Sequence, residues 1–215
     1  MFLSFLVILA GFPVFAVESF KQIPIEEAQW QQLKFNGIEP NKVSFTSDSI
    51  KVEVDQSASP LVHRLTNILN VSAFEVEVTI SGKMSGVPDS GFEEDSFFRL
   101  GLVATGESKL GKIAVLFAPT WVKKLFELAP EGVGLDKIYF YNVATLPRHV
   151  NSERQNPKSA YIFERVIAAK ENDSQKIKYR LKIPMKVAAL WISIDGDNTR
   201  SKFTTFIKSI KLEVQ

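Results

Sequence analysis

Hydrophobic and polar residues alternate along much of the chain. The segment SIKVEVD, residues 49–55, places apolar side chains at alternate positions with charged side chains between them, and the segment AFEVEVTISG, residues 73–82, repeats this pattern. Successive side chains of an extended chain point to opposite faces of a sheet. A period of two therefore predicts strands that bury one face and expose the other to solvent.

Similar patterns, separated by clusters of Gly, Pro, Asn and Asp, predict further strands. These are Val43–Thr46, Ser96–Gly106, Lys112–Ala118, Lys137–Val143, Ala160–Ala168, Lys176–Ile183, Val187–Asp195 and Phe203–Val214. Many short strands with frequent turns favour an all-β fold, and we expect a two-sheet β-sandwich of the jelly-roll-like kind.

One stretch departs from the period of two. In PTWVKKLFELAP, residues 119–130, Trp121, Leu125 and Leu128 fall on one helical stripe and Lys124 falls on the opposite side. This spacing predicts one short amphipathic helix that packs on the sandwich. The alternative is a helix that lies on a membrane surface.

The first residues have a different composition from the rest. MFLSFLVILAGFPVFA, residues 1–16, is apolar and uncharged, with Pro13 and small residues near its end. This predicts a secretory signal peptide at 1–16 followed by a single β-sandwich domain at 17–215. The alternative is an uncleaved membrane anchor, although the segment is shorter than the roughly 20 residues of a spanning helix.

Charge and cysteine content limit the compartment and the partners. The net charge is +2, from 26 basic and 24 acidic residues, without a long block of one sign. This balance gives no indication of nucleic acid or an anionic membrane as a partner. The chain has no cysteine, which fits a bacterial exported protein, periplasmic or extracellular, better than a eukaryotic secreted one.

Four residues are candidates for ligand binding. Trp191, in a strand with apolar residues on both faces, would stack on a sugar ring if it lay on a concave outer face; the alternative is a core tryptophan. Asp95 precedes a strand that contains Arg99, and His149 lies in the long polar loop Leu146–Ser159. The alternatives for these three are a solvated acidic turn and a surface histidine.

The segment SIDGDNTRSKF is a candidate calcium site. The spacing of Asp195, Asp197 and Thr199 places oxygen atoms on one side of a loop, and Ca²⁺ prefers several oxygen ligands. The alternative is a β-turn, because Gly, Asp and Asn accept the backbone conformations that turns need. The chain has only two histidines, which excludes a three-histidine zinc site.

The same segment carries a family resemblance. VAALWISIDGDNTRSKFTTFIKSIKL, residues 187–212, resembles the C-terminal signature of the bacterial exported family known as domain of unknown function 3047. The matching residues lie in the turn, in a Ser-Ala-Ser segment and in an Asp-then-Arg strand: Asp195, Asp197, Asn198, Thr199, Ser57, Ala58, Ser59, Asp95 and Arg99. The resemblance implies an exported β-sandwich and implies no activity.

These observations favour a non-enzymatic binding module, with carbohydrate or cell-envelope glycan as ligand. One alternative is a glycan hydrolase or lyase that uses carboxylates and Arg99, since paired carboxylates perform such reactions. Another is a structural envelope protein that binds a protein partner through a sheet edge or the amphipathic helix.

Overall fold

The computed structural model describes residues 19–86, 95–109 and 117–215. The signal peptide predicted at 1–16 and most of the strand predicted at 112–118 lie outside these ranges. The described strands are β1 (Ser19–Gln22), β2 (Gln31–Gln32), β3 (Lys42–Phe45), β4 (Ile50–Asp55), β5 (Leu61–Lys83), β6 (Ser96–Gly106), β7 (Gly134–Ala144), β8 (Glu153–Gln155), β9 (Ile162–Ala169), β10 (Ser174–Asp195) and β11 (Lys202–Val214). One α-helix, α1 (Thr120–Glu127), and two 3₁₀ turns, Glu27–Gln29 and Pro147–His149, complete the described part.

The strands form an all-β sandwich, as the sequence predicts. Hydrogen bonding connects them in the order β3-β4-β11-β5-β10-β6-β7-β9-β8, with β1 beside β11 and β2 beside β5. β5, with 23 residues, and β10, with 22 residues, are the longest of the described strands. The pairings are antiparallel except that β7 and β9 are parallel.

β10 changes its neighbours along its length. Its first part, Ser174–Arg180, pairs with β5 alone, whereas Val187–Asp195 also pairs with β6. The register between β10 and β5 shifts between Arg180 and Met185, on either side of Pro184, which has no N–H to donate to a ladder. The first part of β10 is therefore the edge of one layer, and the last part is inside the other.

Two apolar clusters stabilise this arrangement. The main one fills the space between the layers, and its fully buried side chains include Phe74, Ile80, Leu100 and Leu190. Burying one such side chain contributes about 1.5–3 kcal/mol relative to leaving it in water. Alternate residues along β5, β6 and β10 supply this core, which is why the period of two predicts these strands.

The second cluster lies under α1, on the outer face of the layer that contains β6. Leu125 of the helix is buried there, beside Val103 and Ile138 of the sheet. The short amphipathic helix thus packs on the sandwich, as its spacing predicts. Among the described helices, none is long and apolar enough to cross a membrane.

Candidate functional site

Trp191 lies in the cluster under α1, where only 3% of its surface is exposed. Its neighbour across the sheet is Gly101 of β6, and a Cβ on that glycine would come within 2.8 Å of the Trp191 carbonyl oxygen. A buried indole offers no ring face to a ligand. The structure therefore shows the core position that is the alternative for Trp191, and ligand binding by this residue stays a prediction.

Asp95 fastens the turn between β10 and β11. One carboxylate oxygen accepts hydrogen bonds from the backbone N–H and the side-chain amide of Asn198, at 3.3 and 3.1 Å. The other accepts bonds from the backbone N–H and the hydroxyl of Thr199, both at 2.6 Å. A carboxylate has about four acceptor positions, so this buried side chain (1% exposed) has none left for a ligand.

Asp195 occupies a different environment from Asp95. The Ser193 hydroxyl donates to it at 2.9 Å, and an Arg99 guanidinium nitrogen lies 3.6 Å from the same carboxylate oxygen. Burial raises the pKa of Asp195 to about 6, while the nearby charge of Arg99 opposes that shift. Arg99 thus faces Asp195, with 11% of its side chain exposed, and is placed to compensate a buried carboxylate.

The Ser57–Ser59 segment lies beside the same turn. The Gly196 N–H donates a hydrogen bond to the Ser57 carbonyl oxygen. The Asn41 side chain connects the two segments, because it accepts a hydrogen bond from the Ser57 hydroxyl and donates one to the Ile194 carbonyl oxygen. Asn41, Ser57 and Ser59 are all buried. The segments that carry the family resemblance therefore meet in one hydrogen-bonded network, and its geometry indicates a structural role.

The structure does not place the predicted calcium ligands in a cage. Thr199 directs its hydroxyl to Asp95 and also contacts the Ser201 hydroxyl. Within the described ranges, no group of three or more His, Asp or Glu side chains is placed to hold a metal ion. Calcium binding by Asp195, Asp197 and Thr199 stays a prediction.

His149 is buried rather than exposed in a flexible loop. It ends the 3₁₀ turn Pro147–His149, and only 6% of its surface is accessible. Its Nε2 accepts a hydrogen bond from Arg148 Nε at 3.2 Å. The alternative of a surface histidine is therefore wrong, and ligand binding by His149 stays a prediction.

An open cleft lies elsewhere, where the first part of β10 separates from the layer of β7 and β9. Its volume is about 540 Å³, within the range of about 300–1,000 Å³ that is usual for small-molecule sites. The aromatic side chains along it are Tyr139, Tyr141, Phe163 and Tyr179. We call it the aromatic cleft, and none of the site residues predicted from the sequence lines it.

The parallel pairing of β7 and β9 creates the aromatic surface. Tyr139 lies opposite Phe163, and Tyr141 lies opposite Arg165. Because residues two apart share one face of a strand, these four side chains form a block on the inner face of the sheet. The rings of Tyr139 and Phe163 are 5.7 Å apart, inclined at 50°.

Tyr141 and Tyr179 form the floor of the aromatic cleft. Their ring centroids are 5.1 Å apart, and Phe74 packs against both from the core, at 5.0 and 5.7 Å. Tilted and edge-to-face contacts of this kind add about 0.5–1.5 kcal/mol beyond area burial. The floor is therefore a continuation of the core and is held in a fixed geometry.

The hydroxyls of Tyr139 and Tyr141 stay protonated over the physiological range. Burial, together with the hydrogen bond that its hydroxyl donates to Asp136 at 2.6 Å, raises the pKa of Tyr139 to about 12. Burial also raises the pKa of Tyr141, with Tyr179 adding to the shift. Each hydroxyl is thus available as a neutral hydrogen-bonding group.

Charged groups border the aromatic cleft at one end. Glu153 of β8 forms an ion pair with Arg165, its neighbour in the β8–β9 register. Lys182 of β10 approaches both oxygens of Glu153 at 3.5 Å. The Glu153–Lys182 contact connects the two layers across the cleft, because the two strands belong to different layers.

No family model and no curated protein matches this sequence, so the resemblance to domain of unknown function 3047 stays a prediction. Several solved structures are similar to this chain over most of its length. The family 11 carbohydrate-binding module from Clostridium thermocellum, in complex with a β-1,3-1,4-mixed-linked tetrasaccharide, is 8% identical with a TM-score of 0.46, covering 93% of this chain and 98% of that one.

Two further structures show a similar degree of overlap. A family 29 carbohydrate-binding module from Piromyces equi has 8% identity and a TM-score of 0.38, covering 93% of each chain. The VIP36 exoplasmic/lumenal domain, in its Ca²⁺/Man₃GlcNAc-bound form, has 8% identity and a TM-score of 0.42, covering 92% of this chain and 91% of that one.

Proposed function

We propose that this protein is a non-enzymatic module that binds carbohydrate in the aromatic cleft. The observation that carries the proposal is the placement of Tyr139, Phe163 and Tyr179 along an open cleft of about 540 Å³. Each of these rings is partly exposed, so each presents some surface to solvent. A sugar ring has apolar C–H faces and polar edges, and aromatic rings with hydroxyl groups match both.

The edge of β10 supports the same proposal. Among the described residues, Ser174–Arg180 pairs on one side only, with β5. Backbone N–H and C=O groups on its other side are therefore available beside the aromatic cleft. They would hydrogen-bond the hydroxyl groups of a glycan, as backbone groups commonly do in binding sites.

The carboxylates at the aromatic cleft favour binding over hydrolysis. Asp136 accepts the hydrogen bond from the Tyr139 hydroxyl, and Glu153 is held between Arg165 and Lys182. A hydrolase needs one carboxylic acid that donates a proton and a second carboxylate that attacks or activates water. Both groups are instead fixed as acceptors by neighbouring donors.

Export to the periplasm or the extracellular space of a bacterium is the second part of the proposal. The apolar segment 1–16 and the absence of cysteine support it. Expression of the full chain in a bacterial host, followed by fractionation and mass determination, tests it. A periplasmic product shortened by the first 16 residues is the expected result, and a full-length cytoplasmic product would contradict export.

The binding proposal is tested with glycan arrays, and hits are then measured by isothermal titration calorimetry. Tyr139→Ala is expected to weaken binding at least about tenfold, because aromatic contacts in a desolvated site are worth more than about 1.4 kcal/mol. Tyr161→Ala is the matched control. Tyr161 is also partly exposed, but it packs on Phe126 at 5.4 Å, away from the aromatic cleft.

Three results would overturn the binding proposal. The first is that no glycan on the array binds and that no glycan changes the thermal stability of the protein. The second is that Tyr161→Ala weakens binding as much as Tyr139→Ala does. The third is the release of new reducing ends from a bound glycan, which would replace the binding module with a hydrolase.

A further inference from the structure

Cations outnumber carboxylates along the aromatic cleft. The cations are Arg165, Lys182 and Lys186, whereas the carboxylates are Asp136 and Glu153. One positive charge is therefore in excess in a cleft whose other lining is largely aromatic and aliphatic. Low-dielectric walls strengthen the field of such an excess charge on a ligand.

Lys186 supplies the excess charge. It is exposed at the rim of the cleft, and within the described ranges its ammonium group forms no ion pair. Its backbone carbonyl accepts a hydrogen bond from the Thr105 hydroxyl at 3.3 Å, which attaches this part of β10 to β6. The backbone of Lys186 is therefore held by the sheet, and its side chain extends into solvent.

Lys182 has a partner that a ligand can replace. Its contact with Glu153 is long, at 3.5 Å, and the side chains are 68% and 40% exposed. An exposed ion pair of this kind contributes little to the stability of the fold. Glu153 also keeps Arg165 as a partner, so an acidic group on a ligand can take Lys182 without leaving Glu153 unpaired.

We infer that the glycan bound in the aromatic cleft is an acidic polysaccharide, whose carboxylate or sulfate groups pair with Lys182 and Lys186 while its sugar rings lie on Tyr139 and Phe163. This inference rests on the proposed function. It adds the charge of the ligand, which the aromatic surface alone does not specify.

The experiment compares acidic and neutral forms of the same polymer on the full chain, by calorimetry. Oligogalacturonate is paired with its methyl ester, and dextran sulfate with dextran, so that the two arms separate carboxylate from sulfate. Binding of the acidic form is expected to be at least about tenfold tighter than binding of its neutral partner. It is also expected to weaken as NaCl rises from about 0.05 to about 0.5 M.

Charge variants make the expected result specific to the cleft. Lys182→Gln and Lys186→Gln are each expected to weaken binding of the acidic form about three- to tenfold and to leave the neutral form unchanged. Glu153→Gln removes a competing carboxylate and is expected to tighten binding of the acidic form. Lys202→Gln is the matched control, since Lys202 is 76% exposed and pairs with Asp55 away from the cleft.

The outcomes separate this inference from the proposed function. Equal affinity for acidic and neutral forms, or equal weakening by Lys202→Gln and Lys182→Gln, overturns the acidic ligand but leaves carbohydrate binding intact. Tighter binding of the neutral form has the same consequence. If none of the polymers binds and the glycan array gives no hit either, both the acidic ligand and the proposed carbohydrate binding are overturned.

Discussion

Asp95 accepts two hydrogen bonds of 2.6 Å from Thr199, one from its backbone N–H and one from its hydroxyl. These residues are separated by more than a hundred positions in sequence, and the contact ties the start of β6 to the turn between β10 and β11. Because the carboxylate is buried and its acceptor positions are filled, its role is to hold the turn rather than to bind a ligand.

Asp95→Asn is the first prediction. An amide would turn an NH₂ group toward donors of the turn, so we expect the free energy of unfolding to fall by about 2–3 kcal/mol. Urea denaturation measures this loss. Asp48→Asn is the control, because Asp48 accepts a bond from Thr46 in an exposed turn and should cost less than about 0.5 kcal/mol. Equal costs at the two sites would contradict the structural role of Asp95.

The second prediction concerns the pH dependence of stability. Folding raises the pKa of Asp195 from 3.8 to about 6, so the folded state holds this proton more tightly than the unfolded state. The contribution of Asp195 to the free energy of unfolding is therefore most favourable below pH 3.8 and is lost as the pH rises to about 6. The total change is about 3 kcal/mol.

Asp195→Asn is expected to remove this dependence. We expect the variant to gain stability relative to the unmodified protein as the pH rises through this interval, and to keep a constant difference above it. Urea denaturation of both proteins at a series of pH values measures the difference between their free energies of unfolding. The contributions of the other carboxylates cancel in this difference. A difference that does not vary with pH would show that Asp195 has an ordinary pKa in the folded protein.

Local pattern predicts the strands well where one face is buried and the other is solvated. It misses the first part of β5, Leu61–Ser72, because this segment contains adjacent apolar residues and no alternation. It also divides β10 at Pro184. The strand continues there because Met185–Val187 resume pairing with β5, a tertiary contact that a local pattern does not contain.

The aromatic cleft is harder to predict than the strands that form it. Tyr139 and Tyr141 share a face of β7, and Phe163 and Arg165 share a face of β9, which alternation alone indicates. The convergence of the two pairs depends on the parallel pairing of β7 with β9. Pairing partners and their register are properties of the whole sheet. A local pattern therefore indicates a single exposed or buried aromatic residue such as Trp191, but it does not indicate an aromatic cleft formed by several strands.

Gly101→Ala tests the packing of the layer beneath α1. A Cβ at this position would lie 2.7 Å from a methyl carbon of Ile138 and 2.8 Å from both a ring carbon of Phe140 and the Trp191 carbonyl oxygen. Overpacking of this kind is expected to cost about 2–3 kcal/mol, measured by urea denaturation. Gly37→Ala is the control, because it has open space around it and only an unfavourable φ of 79°. A smaller loss at Gly101 than at Gly37 would contradict the tight packing.

The ion pair between Arg180 and Glu213 predicts an unequal cost for its two partners. Glu213 is fully buried and accepts from the Ser72 hydroxyl at 2.7 Å, whereas the Arg180 side chain is 54% exposed. Arg180→Gln leaves a buried carboxylate without its cation and should lower the free energy of unfolding by about 3 kcal/mol. Glu213→Gln leaves a cation that water can solvate and should lower it by about 1 kcal/mol. Since the double variant no longer buries a charge, it should be more stable than Arg180→Gln alone. Urea denaturation of the three variants measures this order, and equal losses for the two single variants would show that the carboxylate is not the desolvated partner.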